Sequence, residues 1–288
     1  MRRLNRNRLP FFILFLIHTF LLIVAVHKSR NRKKIFVLLL ANMGFSYLFE
    51  YFVFNLMKAY SYKPKILQKK LFDNILGAFL SQAIYVPFTA VFLTGIKSGW
   101  GTKVAAGLYF YLVEKLFLWL GVFKLSGWKT IYTLIFLPFY FKLSDFWFAS
   151  LNKKTSIIRF TSLFFMIMVT ETNLFLLFAF IRRYRFGIGK YHSWREHFIL
   201  SPLYTTLLSL FTALTLKKKN TIKVKFGVVL FAACLNKFFI KIKLLKNNLH
   251  PISYFVIRLI MILIYGEYSK WIYENGENES LENKKTNQ

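Results

Sequence analysis

Nine apolar runs, most of them about 20 residues long, recur between Leu9 and Tyr273, and short segments that hold most of the Lys and Arg residues separate them. At roughly 1.5 Å per residue, a helix of that length crosses a hydrocarbon layer of about 30 Å. With 56% hydrophobic and 20% aromatic residues, the 288-residue chain would overfill a soluble core. Membrane strands need only about 10 residues of alternating polarity, whereas these runs are longer and apolar on every face. The pattern therefore predicts an all-α fold, a polytopic transmembrane helix bundle of about nine spans.

The spans are expected at Leu9–Val26, Ile35–Met57, Ile75–Ile96, Lys103–Phe123, Thr130–Leu151, Ile157–Ile181, Phe198–Leu216, Val224–Leu244 and Pro251–Tyr273. The first follows Arg2, Arg3, Arg6 and Arg8 and resembles a signal peptide in outline. No small-x-small cleavage site follows, however, and HKSRNRKK reads as a stop, so the run is expected to remain as an anchor. Pro10 and Pro202 stand in first helical turns, where proline is tolerated, while Pro87 and Pro138 stand inside spans. Span eight, interrupted by Asn236, Lys237, Lys241 and Lys243, has the weakest pattern, and whether it crosses fully stays open. The tail 274–288 is polar, lacks apolar periodicity and is expected to be disordered.

A net charge of +30 would suggest nucleic acid in a soluble protein. Here the basic residues sit between apolar runs, where they fit anionic lipid head groups, and no nucleic-acid-binding motif accompanies them. They divide almost equally between the two sides of a nine-span bundle, so the charge bias gives no orientation. Trp100, Trp128, Trp147, Trp194 and Trp271 fall near span ends, as an interfacial belt requires. Cys234 is the only cysteine, which leaves no disulfide frame or thiolate cluster.

The second half echoes the first. Glu50 aligns with Glu171, Asp73 with Glu196, Asp145 with Glu267, and Glu114 with its amide relative Asn236. Tyr62-Lys63 falls on Tyr184-Arg185, Asp73-Asn74-Ile75-Leu76 on Glu196-His197-Phe198-Ile199, Lys103-Val104 on Lys223-Val224, and Lys115 on Lys237. The expected organisation is a basic N-terminus and anchor (1–34), a four-helix unit (35–156), a second four-helix unit (157–273) and the tail (274–288). An even number of helices per unit returns the chain to its starting face, so the repeats would be parallel.

A carboxylate near the bilayer centre costs several kcal/mol unless it faces protein, water or a partner charge. Glu50, Glu114, Lys115, Glu171, Asn173, Asn236 and Lys237 thus form a candidate intramembrane polar site. Lys142 with Asp145, and Arg258 and Glu267, are candidate structural ion pairs. Two readings stand: a polar seam that handles ions or a small solute, or a set of contacts that only fixes helix packing. No catalytic motif is present: neither HExxH nor GxSxG occurs, no glycine loop cradles a phosphate, and no cofactor or metal site is expected.

The segment FEYFVFNLMKAYSYKP, continuing through FDNILGAFLSQAIYVPFTAVF, resembles short four-helix or five-helix membrane proteins of unknown function from spore-forming low-GC Gram-positive bacteria. In those proteins an acidic residue in one helix is followed by a Tyr-containing basic segment. The resemblance covers about residues 35–150, with a weaker echo in the second half. It implies a bacterial cytoplasmic membrane and carries no activity. A membrane-protein partner or a second copy of the chain is compatible with either reading.

Overall fold

The structure is a computed structural model that describes residues 7–188, 192–218 and 220–273. Arg2, Arg3, Arg6 and the tail 274–288 lie outside the described residues.

Among the described residues, seven helices are long and apolar enough to cross a membrane: Arg8–Lys28, Arg32–Leu56, Lys70–Gly95, Thr130–Asn152, Ser156–Phe180, Trp194–Lys217 and Pro251–Tyr273. Two others, Trp100–Trp119 and Ile222–Lys241, are 20 residues each. The first of these carries Lys103, Glu114 and Lys115, and the second Lys223, Lys225, Lys237 and Lys241. These charges lower the hydropathy of the fourth and eighth expected spans, so length and composition mark the other seven alone as able to cross.

The chain divides into two units, at Lys153 and Lys154. The first holds α1 (Arg8–Lys28), α2 (Arg32–Glu50), β1 (Tyr60–Tyr62), α3 (Lys70–Phe79), α4 (Val86–Gly95), α5 (Trp100–Trp119), β2 (Phe123–Leu125) and α6 (Thr130–Asn152). Tyr51–Leu56 continues α2 as a π-helix, and Leu80–Tyr85 joins α3 to α4 in the same wider winding. α1 packs against α4 within this unit. The second unit holds α7 (Ser156–Phe180), β3 (Tyr184–Phe186), α8 (Trp194–Lys218), α9 (Ile222–Lys241), β4 (Leu245–Asn247) and α10 (Pro251–Tyr273).

Within each unit the two strands form a short antiparallel ribbon that the apolar pattern did not announce. Tyr60 faces Leu125 and Tyr62 faces Phe123; Tyr184 faces Asn247 and Phe186 faces Leu245. Tyr60 and Tyr184 each open the first strand of their ribbon, whereas the sequence alignment set Tyr184 against Tyr62. The chain enters β2, β3 and β4 through left-handed turns at Gly121, Arg182 and Lys243. At each, the following N–H reaches back to the helix, Val122 to Phe117, Arg183 to Phe178 and Leu244 to Phe239, so the last carbonyls of the helix are satisfied. Pairing two loops then satisfies the backbone groups that follow, which cannot be left bare near hydrocarbon.

Side chains just before the third and seventh expected spans pin these ribbons. Asn74 Oδ1 accepts from the Tyr62 N–H at 2.6 Å, and His197 Nδ1 accepts from the Phe186 N–H at 3.1 Å. Asp73 accepts from the N–H groups of Lys65, Ile66 and Leu67 at 2.9, 2.8 and 2.9 Å. Glu196 accepts from the Ser193 N–H at 2.7 Å. Both acidic residues stand in a first helical turn, where the positive end of the helix dipole favours them.

Candidate functional site

The π-helical stretch Leu80–Tyr85 swings Ser81, Gln82 and Tyr85 toward the end of α2, and β1 brings Tyr60 and Tyr62 over the same place. Together with α5, β2 and α6 they line a partly open cavity of about 200 Å³ within the first unit. Its wall is largely aromatic and includes Glu114, Trp128, Thr133 and Tyr140.

Two carboxylates serve this cavity. Glu114, half-buried in α5, stands in the wall and accepts from the Thr133 hydroxyl, which in turn accepts from Trp128 Nε1 at 3.0 Å. Glu50 lies one side chain behind the wall and accepts from the Tyr60 hydroxyl at 2.5 Å. Glu114 Oε1 and Glu50 Oε1 are buried without a hydrogen-bond partner, although the Gln82 side chain lies beside Glu50. Burial, and after it the Glu50 charge, keeps the Tyr60 phenol well above its ordinary range, so Tyr60 stays a donor. No Lys, Arg or His is among the lining residues.

From Ser46 and Tyr140 in the cavity wall a polar track continues between the helices. Ser46 donates to the Tyr140 hydroxyl at 3.2 Å, and Tyr140 donates to the Asn42 carbonyl at 2.9 Å. Asn42 Nδ2 donates to Ser144 Oγ at 3.0 Å; Thr94 Oγ1 touches Ser144 Oγ and donates to Asp145 Oδ1, both at 2.9 Å. Lys103 Nζ then closes on Asp145 Oδ2 at 2.9 Å. Asp145 therefore takes Lys103 rather than the expected Lys142, which lies exposed on α6.

The second unit treats its carboxylate differently. Glu171 Oε1 accepts from Arg258 Nη1 at 2.6 Å and from the Tyr265 hydroxyl at 2.7 Å, and all three side chains are buried. The guanidinium carbon lies 5.8 Å from the centre of the Phe175 ring and 5.1 Å from that of Tyr254. Arg258 thus meets Glu171, not Glu267. Glu267 is exposed and pairs with Lys270 on its own helix at 2.8 Å, so it does not take the place that Asp145 has in the first unit.

No protein family, characterised protein or solved structure matches this chain.

Of the residues expected at a polar site, Glu50 and Glu114 come together at the cavity, and Glu171 belongs to a separate ion pair. Asn236 is buried and accepts from the Tyr184 hydroxyl. Asn173 is half-buried on α7. Lys115 and Lys237 lie on exposed helix faces, Lys115 Nζ 5.6 Å from the centre of the Tyr111 ring, and neither is buried in the polar site expected to hold it. Sequence reasoning missed Tyr60, Gln82, Thr133 and Tyr140, and it placed Trp128 in an interfacial belt instead of a cavity wall. The alternation in Tyr60-Ser61-Tyr62 was the one available signal, two aromatics on one side of a short strand.

Proposed function

We propose that the chain is a multi-pass integral membrane protein of a bacterial cytoplasmic membrane that admits a small solute into the cavity of its first unit. The cavity carries this reading, with Glu114 in its wall and Glu50 directly behind. A bundle whose charges only fix packing closes to near-crystalline density and keeps no such space. The second unit is mainly a structural partner, a role supported by the buried Glu171–Arg258 pair, which gives that carboxylate a countercharge of its own.

In this reading all nine helical segments cross the bilayer, and the units derive from one four-helix ancestor in parallel orientation. The shared order of helix, strand, two helical segments, strand and helix supports the duplication, as do the matching roles of Asn74 and His197 at the ribbons. Belts of Lys and Arg between the spans contact anionic head groups.

Thiol labelling in membranes tests the cavity. With Cys234 replaced by Ser, Ser81→Cys in the cavity wall is expected to react with a water-soluble, membrane-impermeant thiol reagent. Val169→Cys, fully buried in the second unit, is expected to resist. If Ser81→Cys resists from both sides of the membrane as Val169→Cys does, no solute reaches the cavity and the reading fails.

A further inference from the structure

We infer that the solute taken up by the first unit is a hydrophobic organic ammonium ion. The inference rests on the solute-admitting reading above and adds the chemical class.

Charge decides the sign. Although the chain carries a net +30, the cavity has two carboxylates at or behind its wall and no basic side chain among its lining residues. Glu114 stands in the wall itself, where a carboxylate attracts a positively charged ligand group placed beside it. An anion would meet the same carboxylates and be repelled.

Ring chemistry decides the body of the ligand. Tyr60, Tyr62 and Phe123 come from the ribbon, Trp128 from the turn after it, and Phe136 and Tyr140 from α6. Aromatic faces attract a desolvated cation and also receive hydrocarbon. A hard metal cation instead needs about six oxygen ligands, and this wall is built of rings. The volume of about 200 Å³ exceeds the roughly 150 Å³ that admits benzene, so a one-ring amine fits.

A neutral apolar molecule is the close competitor, and it differs by the charge alone. In the Ser81→Cys, Cys234→Ser protein, the rate of modification by neutral N-ethylmaleimide is measured with benzylammonium, benzyl alcohol or benzoate present at equal concentration. Benzylammonium is expected to slow modification at least about fivefold, with the other two near unity. Glu114→Gln should weaken its protection about tenfold, which corresponds to about 1.4 kcal/mol, while the unprotected rate stays the same. Val113→Cys, another wall position, repeats the measurement if Ser81→Cys does not fold. Equal protection by benzyl alcohol, or modification that none of the three slows, overturns the ammonium assignment and leaves the solute-admitting cavity standing. A cysteine that no reagent modifies overturns that underlying reading, and the ligand assignment with it.

Discussion

The Tyr60 hydroxyl donates to Glu50 Oε2 at 2.5 Å, joining a strand outside the helices to a carboxylate near the end of α2. Both side chains are buried, and Glu50 has no countercharge among the ion pairs of the described residues. The ribbon and the carboxylate therefore depend on each other: the strand carries the donor, and the acid fixes where the strand lies.

Removing that donor should be felt as lost stability. Tyr60→Phe takes a hydrogen-bond donor away from the buried Glu50 side chain, at a cost of about 1–3 kcal/mol. Glu50→Gln keeps an acceptor for Tyr60, so it should cost less, and Tyr60→Phe should do less harm in that background. Thermal unfolding of the purified protein in detergent gives all four corners of the cycle. Additive losses would mean the two side chains do not interact.

The second unit offers the opposite case. Glu171→Leu or Arg258→Leu alone leaves one buried charge without its partner and should cost about 3–5 kcal/mol, enough to reduce the yield of folded protein. The double replacement removes both charges and should recover much of the loss. Size-exclusion profiles and melting temperatures read the difference. A double variant no better than the worse single would show that the pair does more than hold α7 to α10.

The ribbon register makes a chemical prediction. Ser61 and Lys124 are partners across β1 and β2, and facing residues in an antiparallel pair lie about 4.5–5.5 Å apart at Cα, within reach of a disulfide. Ser61→Cys with Lys124→Cys, made in a Cys234→Ser chain, should cross-link under mild oxidation and shift mobility on a non-reducing gel. Arg185→Cys with Lys246→Cys should do the same in the second unit. Failure of both pairs while the protein remains folded would reject the ribbons.

What sequence could convey follows from the length of each signal. Runs such as Leu9–Val26 repeat over many turns and leave no alternative to a helix. Asp73 and Glu196 precede the third and seventh expected spans, and the helix dipole favours an acid in the first turn where the structure holds them. The strands were not legible, since three residues in a basic loop have too little periodicity to stand out, and their pairing is settled by a partner some sixty residues away. The same limit governed the charges. Sequence placed Glu50, Glu114 and Glu171 inside the bundle, but nothing local says that Glu50 meets Tyr60 or that Glu171 meets Arg258. Spacing favoured Lys142 for Asp145, because i,i+3 neighbours share a face. Packing α5 against α6 brought Lys103 closer.

That last contact carries an asymmetry. Lys103 is almost completely buried, at 1% exposure, whereas the Asp145 side chain retains 26%. Asp145→Asn would leave a buried ammonium with the Ser98 carbonyl and hydroxyl, at 2.5 and 3.0 Å, and an amide in place of its countercharge. Lys103→Met would leave a carboxylate that still accepts from Thr94 at 2.9 Å and still reaches the surface. Solvent access moderates both losses, so Asp145→Asn should cost about 1–3 kcal/mol and Lys103→Met about 1 kcal/mol or less. Melting temperatures of the two variants compare them directly. A more damaging Lys103→Met would mean that the lysine stem, through its packing, holds α5 in place and that the charge contributes little.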